Sequence, residues 1–236
     1  MKEDAGVMYL RQQDIFDIKK KDTAITVVGA GSLGSWTVLG LAKLGLENIS
    51  VYDNDEVALH NIPSQFFSMQ DVPEDKSDDG DGETGTLKVL ALQRNVRAFT
   101  DVSINPTGRK FIAQALSEVM VVTPDNMVTR KQVFLRCQGN TIVKRLIDGR
   151  MGGQNYRIYC VDPNNPEHVA YYLKNWYSDE QGSEVPCTAK GVGYNATMCA
   201  MEIVNLVKRT VMGQELPVEI VFDAGGLWRT VEWEAK

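Results

Sequence analysis

At 236 residues, 43% of them hydrophobic, the chain is long enough for one large domain with a proper core. A net charge of −6 argues against a surface that coats nucleic-acid phosphates, so no nucleic-acid partner is expected. No apolar run reaches the roughly 18 residues that a bilayer span needs, and residues 1–20 lack a signal-peptide pattern, so no membrane partner is expected either. The cysteines, Cys137, Cys160, Cys187 and Cys199, form no C-x-x-C pair. No zinc is expected from that spacing, and free thiols in a reducing cytoplasm are the simplest reading.

In chain order, residues 8–19 read as a short amphipathic helix. Residues 24–34 are Ala-Ile-Thr-Val-Val-Gly-Ala-Gly-Ser-Leu-Gly, and helical apolar spacing follows from Trp36 to Leu44. The stretch predicts a buried strand, a tight glycine turn and a helix. In the G-x-G-x-x-G spacing, Gly29 permits the turn, Gly31 lets the backbone approach a phosphate, and Gly34 lets helix and strand pack closely. The helix N-terminus then offers N–H groups to an anion. The bland alternative is a glycine turn that only packs an α/β unit. A second strand, residues 49–52, ends in Asp53, about 20 positions past the turn, where a ribose hydroxyl would be held.

Residues 71–86 are acidic, glycine-rich and without apolar periodicity, which predicts an exposed, mobile acidic loop, centred on 74–86. Helical spacing returns over 87–99, and 102–104 and 118–122 read as strands. Asp125-Asn126 caps a helix to about Cys137. Residues 142–147 and 157–161 read as strands, 191–211 as a long helix, and 217–222 and 228–233 as edge strands. The pattern predicts a single α/β domain over 1–236. Its sheet is Rossmann-like and mostly parallel with helices on both faces, and antiparallel strands fill the C-terminal half.

Beyond the glycine turn, polar groups crowd past the strand ends, where ligands sit in an open α/β sheet: Asp53, Asp55, Asn61 and Gln65. Lys88 begins the helix after the acidic loop, and Asp125 follows another buried strand. A carboxylate beside a phosphate site is a natural Mg²⁺ ligand, and a lysine there neutralises charge as phosphate departs. Each also has a plain explanation: Lys88 a solvated lysine, Asp125 an N-cap, Asp55 and Asn61 turn formers.

The order Gly29-x-Gly31-x-x-Gly34-Ser35, Asp53-x-Asp55-x-Val57, Asn61, Gln65, Lys88-Val89, Asn105-Pro106, Asp125-Asn126 and Pro186-Cys187-Thr188 resembles the ThiF/MoeB family. These are adenylating enzymes related to the activators of ubiquitin-like proteins, and the resemblance runs from about Arg11 to Lys208. It implies that Asp53 binds ribose, that Asn61 lies near the phosphates, that Lys88 is the catalytic lysine and that Asp125 serves the Mg²⁺ site. It also implies that Arg11 reaches the nucleotide of a partner subunit in a homodimer, and that Cys187 lies in a loop crossing the active site.

The chain departs from the family where Asn-x-x-Arg-Gln becomes Asn61-Ile62-Pro63-Ser64-Gln65, so a phosphate-binding arginine is absent. The paired zinc cysteines are absent too, and the acidic loop is longer. Arg150, after a strand and before Gly152-Gly153, is a candidate replacement; a structural salt bridge is the alternative. The implied reaction is ATP-dependent adenylation of the C-terminal carboxylate of a small ubiquitin-like or sulfur-carrier protein. Thioester formation at Cys187, with Lys190 lowering the thiol pKa, would follow; a small packing cysteine is the alternative. The rival functions are a catalytically impaired ThiF-like scaffold and an NAD-dependent oxidoreductase.

Overall fold

The computed structural model describes residues 7–73, 85–177 and 191–235. Its strands are β1 (Ile25–Val28), β2 (Ile49–Tyr52), β3 (Asn105–Thr107), β4 (Val119–Val122), β5 (Arg145–Gly152), β6 (Asn155–Val161), β7 (Glu219–Asp223) and β8 (Trp228–Glu232). The helices are α1 (Ser32–Leu44), α2 (Lys88–Thr100), α3 (Met127–Cys137), α4 (Pro166–Lys174) and α5 (Gly193–Val211). One eight-stranded sheet runs in the order β3-β2-β1-β4-β5-β6-β7-β8. From β3 to β5 the pairing is parallel; from β5 to β8 it is antiparallel.

β1 and β4 are buried at every residue, as strands covered on both faces must be. On one face Val27, Val51, Val121 and Ile147 pack with Leu41 of α1, Leu92 of α2 and Ile203 of α5. On the other, Val28, Met120, Val122 and Leu146 pack with Phe134 of α3 and Tyr172 of α4. The expected fold class is thus observed, with helices on both faces. Among the described residues no helix is long and apolar enough to cross a membrane.

Several boundaries differ from expectation. In place of a helix over 8–19 stand two short 3₁₀ turns, Leu10–Gln12 and Ile18–Lys20. Asp17 separates them by accepting a hydrogen bond from the Lys19 N–H, a local bond that competes with helix. The third strand is Asn105–Thr107 rather than 102–104. It is an edge strand, where Pro106 is tolerated. β5 starts three residues later than read and runs on to Gly152. Helix α4 was not anticipated, although Asn165 caps it through the Glu167 N–H and Pro166 sits in its first turn.

The acidic segment is anchored at both described ends. Asp71 is fully buried and holds Arg94, the Asn95 side chain (3.0 Å) and the Ser68 N–H (2.6 Å). Glu56 bridges to Leu87 and takes the Gly85 N–H at 3.1 Å. Residues 74–84, where the mobile loop was expected, lie outside the described residues.

Candidate active site

The glycine turn is built by what its residues lack. Gly29 has φ +98°, and a Cβ there would lie 2.9 Å from the Thr123 carbonyl carbon. A Cβ on Gly34 would lie 1.8 Å from the Gly29 oxygen, so the first turn of α1 rests directly on the loop. The Thr123 hydroxyl, bonded to the Val28 and Gly29 oxygens at 3.1 Å each, ties β4 to the same turn. A Cβ on Gly31 would meet nothing within 4 Å. Gly31 is the N-cap residue of α1, and no side chain caps that end. Its first N–H groups therefore lack a side-chain cap, which is the arrangement that receives a phosphate.

Asp53 locks the neighbouring strand end to this turn. Its carboxylate accepts from the Ala30 N–H at 2.6 Å and the Asp55 N–H at 2.8 Å. Burial pushes the Asp53 carboxyl up, against the lowering pull of those two N–H groups and of Lys88. The Lys88 Nζ lies 2.9 Å from the Asp55 carboxylate, and the lysine is nearly buried while Asp55 is exposed. The Lys88 N–H also donates to the Asp55 carbonyl (2.8 Å), which fixes the start of α2 beside the exit of β2.

Asn61 is buried and accepts from the Ala58 N–H at 2.9 Å, so it shapes the turn that carries it. The Oε1 of Gln65 is buried without a hydrogen-bond partner. Ser64, at the position of the family arginine, sits over the start of α1: its hydroxyl is 3.2 Å from that of Ser32, and its carbonyl accepts from the Trp36 indole at 3.1 Å.

Asp125 lies past the end of β4 and is exposed. The cap of α3 is Asn126, whose side chain accepts from the Thr129 N–H at 2.8 Å. Asp125 is thus released from the N-cap role that was its alternative. Behind it, the buried Arg130 donates to the Pro124 carbonyl, to the Gly149 carbonyl at 2.8 Å and to Asp148. Asp148 is fully buried and also takes the Arg150 Nε (2.8 Å) and the Tyr172 hydroxyl (2.7 Å). Burial alone would raise the Asp148 carboxyl; the two guanidiniums and the tyrosine outweigh it and hold it below the usual range. Arg130, Asp148 and Tyr172 were not singled out from the sequence.

The structure brings Gly29, Gly31, Gly34, Asp53, Asp55, Lys88, Asn61, Gln65 and Asp125 to one edge of the sheet. It does not bring Arg11 there. The Gln12 side chain donates to the Leu44 carbonyl (2.6 Å), which puts Arg11 beside the far end of α1. That helix has 13 residues, so it spans about 20 Å. Arg150 also stands apart, in the salt-bridge cluster just described. Its neighbour Gly149 faces Leu33 of α1 and Ile203, so Arg150 projects from the opposite face of β5. Cys187 and Lys190 lie outside the described residues. Cys137, Cys160 and Cys199 are buried, and burial pushes the first two thiols up to about 12 and the third higher still. Among the described residues no three His, Cys, Asp or Glu side chains converge as a metal site.

Comparison with known proteins agrees with this geometry. The chain is 26% identical over 202 residues to the sulfur carrier protein ThiS adenylyltransferase of Escherichia coli (strain K12), covering 80% of this chain and 74% of that one. It is 26% identical over 138 residues to the tRNA threonylcarbamoyladenosine dehydratase of Haemophilus influenzae, covering 55% of this chain but only 48% of that one. Among solved structures, PaaA superposes with a TM-score of 0.73 at 15% identity, over 99% of this chain and 74% of that chain. Escherichia coli MccB with ATP gives 0.68 at 13% identity, over 93% and 66%. These two likenesses show the fold. The ThiF family model matches residues 11–223, and the chain belongs to the ThiF family.

Proposed function

We propose that this ThiF-family enzyme is an ATP-dependent adenylyltransferase that activates the C-terminal carboxylate of a small ubiquitin-like or sulfur-carrier protein. The observation that carries the reading is the uncapped N-terminus of α1 behind an open Gly31, on the same sheet edge as Lys88 and Asp125. In the reaction, a carboxylate oxygen of the substrate attacks the α-phosphorus of ATP. The bond from that phosphorus to the bridging oxygen breaks, pyrophosphate leaves with the electron pair, and an acyl-adenylate remains. No proton changes hands, so the chain's contribution is positioning and charge stabilisation. The α1 N–H groups and Lys88 would face the phosphates, Asp53 the ribose, and Asn61 and Gln65 would line the site. The unpartnered Gln65 oxygen suits a donor on the nucleotide.

The residues present fit magnesium. Asp125 is an exposed carboxylate that caps nothing, and Mg²⁺ needs only one or two carboxylates beside phosphates and water. Bound there, the ion would supply charge neutralisation. Arg11, a helix length from the cradle of its own chain, would serve a partner's nucleotide in a homodimer. The Cys187 thiolate would then attack the acyl carbon of the adenylate, forming a thioester as the acyl–oxygen bond to AMP breaks and AMP leaves.

ATP–pyrophosphate exchange in the presence of carrier proteins ending in glycine tests the reading. Exchange is expected, with loss in Lys88→Ala and partial recovery when Lys88→Ala is mixed with Arg11→Ala. Ser64 favours a second reading, a ThiF-like scaffold without turnover. ATP binding with no exchange for any carrier would select it.

A further inference from the structure

Three neighbours fix where Asp125 stands. The Thr123 N–H donates to the Val28 carbonyl at 2.9 Å, and its hydroxyl reaches the Val28 and Gly29 carbonyls, so β4 leaves the sheet tied to the glycine turn. Pro124 has a ring-fixed φ and gives its carbonyl to the buried Arg130. Asn126 caps α3. Asp125 is the exposed residue left between these fixed ones. Its carboxylate is also met by Asn126, whose amide has two unlike ends. The cap uses one of them: Oδ1 accepts from the Thr129 N–H at 2.8 Å. That bond decides which way the amide lies, because only its oxygen accepts. The NH₂ end therefore turns the other way, and it donates to Asp125 Oδ1 at 3.2 Å. Among the described residues nothing else bonds this carboxylate, so Oδ2 stays open.

We propose that Asn126 is a positioning residue that aims the Asp125 carboxylate with one end of its amide while it caps α3 with the other. The inference rests on the reading of Asp125 as the Mg²⁺ ligand of an adenylation site. An exposed aspartate has several rotamers open to it. A hydrogen bond to Oδ1 selects one of them and leaves Oδ2 for the ion. Mg²⁺ demands near-ideal octahedral geometry, so a ligand that points the right way beforehand matters more for it than for a larger cation. A carboxylate already held in place also loses less freedom when the ion and the triphosphate arrive. Outer partners of this kind act on the metal through the ligand that they orient.

Two substitutions separate the two ends of the amide. Asn126→Ser keeps an acceptor for the Thr129 N–H, since serine caps helices about as well as asparagine. Its side chain ends a bond short of the NH₂ group that meets Asp125. Asn126→Ala loses both contacts. ATP binding to the full-length protein is measured by calorimetry with saturating Mg²⁺ and with EDTA in its place, and melting is followed by circular dichroism. In both variants the gain in ATP affinity that Mg²⁺ provides should shrink by about three- to tenfold, with metal-free affinity unchanged. The melting temperature should fall in Asn126→Ala alone. Added to Asp125→Ala, which removes the group being aimed, Asn126→Ser should cause no further loss. The inference is overturned if Asn126→Ser keeps the full Mg²⁺ gain, if metal-free affinity falls in step, or if its effect adds to that of Asp125→Ala. A gain that Asp125→Ala abolishes and Asn126→Ser spares would overturn this inference and leave the metal reading standing. A wild type that binds ATP with no Mg²⁺ gain would overturn both.

Discussion

Two neighbouring regions beside the C-terminal end of β4 differ in how they use polar groups. At the edge of the parallel strands the cradle is made of backbone and empty space, with Asp55 and Asp125 exposed to solvent. A few residues along, the Arg130–Asp148–Arg150 cluster is almost sealed from water. The first arrangement lets a ligand supply the missing partners. The second takes the full desolvation cost of three charges and recovers it only while all three remain. Substitutions should therefore separate cleanly: binding without stability at the cradle, stability first in the cluster.

The sharpest break is within the glycine turn. Gly34→Ala forces a Cβ into the Gly29 oxygen and should cost more than about 4 kcal/mol, an exceptional loss for a single substitution. Gly31→Val meets open space, so its melting temperature should hold while ATP binding is lost in calorimetry. Equal melting losses for the two would erase the distinction.

Next in size is Asp148→Asn, which strands two buried cations and should cost about 3–5 kcal/mol in denaturant unfolding. The same carboxyl is held below its usual value when folded. Its stabilisation is therefore complete above the unfolded carboxylate pKa, near 4, and fades as pH falls toward the lower folded value. Melting curves between pH 7 and pH 3 should show that loss in the wild type and a flatter dependence in Asp148→Asn.

Asp125→Ala should weaken Mg²⁺-dependent ATP binding about tenfold, or about 1.4 kcal/mol, and leave the melting temperature unchanged. Parallel titrations with and without the metal check it. The smallest effect belongs to Tyr172→Phe. It removes one hydrogen bond to Asp148 and should cost about 0.5–1.5 kcal/mol of stability with ATP affinity intact. A change in ATP affinity there would mean that the cluster and the cradle are coupled.

What was legible beforehand follows the range of the interactions. Gly29, Gly31, Gly34, Asp53 and Lys88 announce themselves because a turn, a strand end and a helix start are local patterns. The alternation of strands and helices, with β-rich sequence toward the C-terminus, carried the sheet. The Arg130–Asp148–Tyr172 cluster joins residues 18 and 24 positions apart in sequence, and an arginine in a helix normally reads as surface. Asp71 misled for a related reason. It opens an acidic run, yet it is the residue that Arg94 and Asn95 draw inward. The arginine substituted at Ser64 was visible as an absence, but its consequence, a hydroxyl pair across the start of α1, needed the folded geometry.

The burial of Cys137, Cys160 and Cys199 turns the chain into its own stoichiometric indicator. Their thiolates are suppressed by burial, and only a thiolate reacts with an alkylating reagent at an appreciable rate. In the native protein such a reagent therefore finds these three positions closed, whereas the denatured chain offers all four cysteines of the sequence. The number of labels gained on unfolding counts those three closed thiols without any substitution, and any label taken up before unfolding that ATP and a carrier protein suppress would report engagement of the remaining thiol.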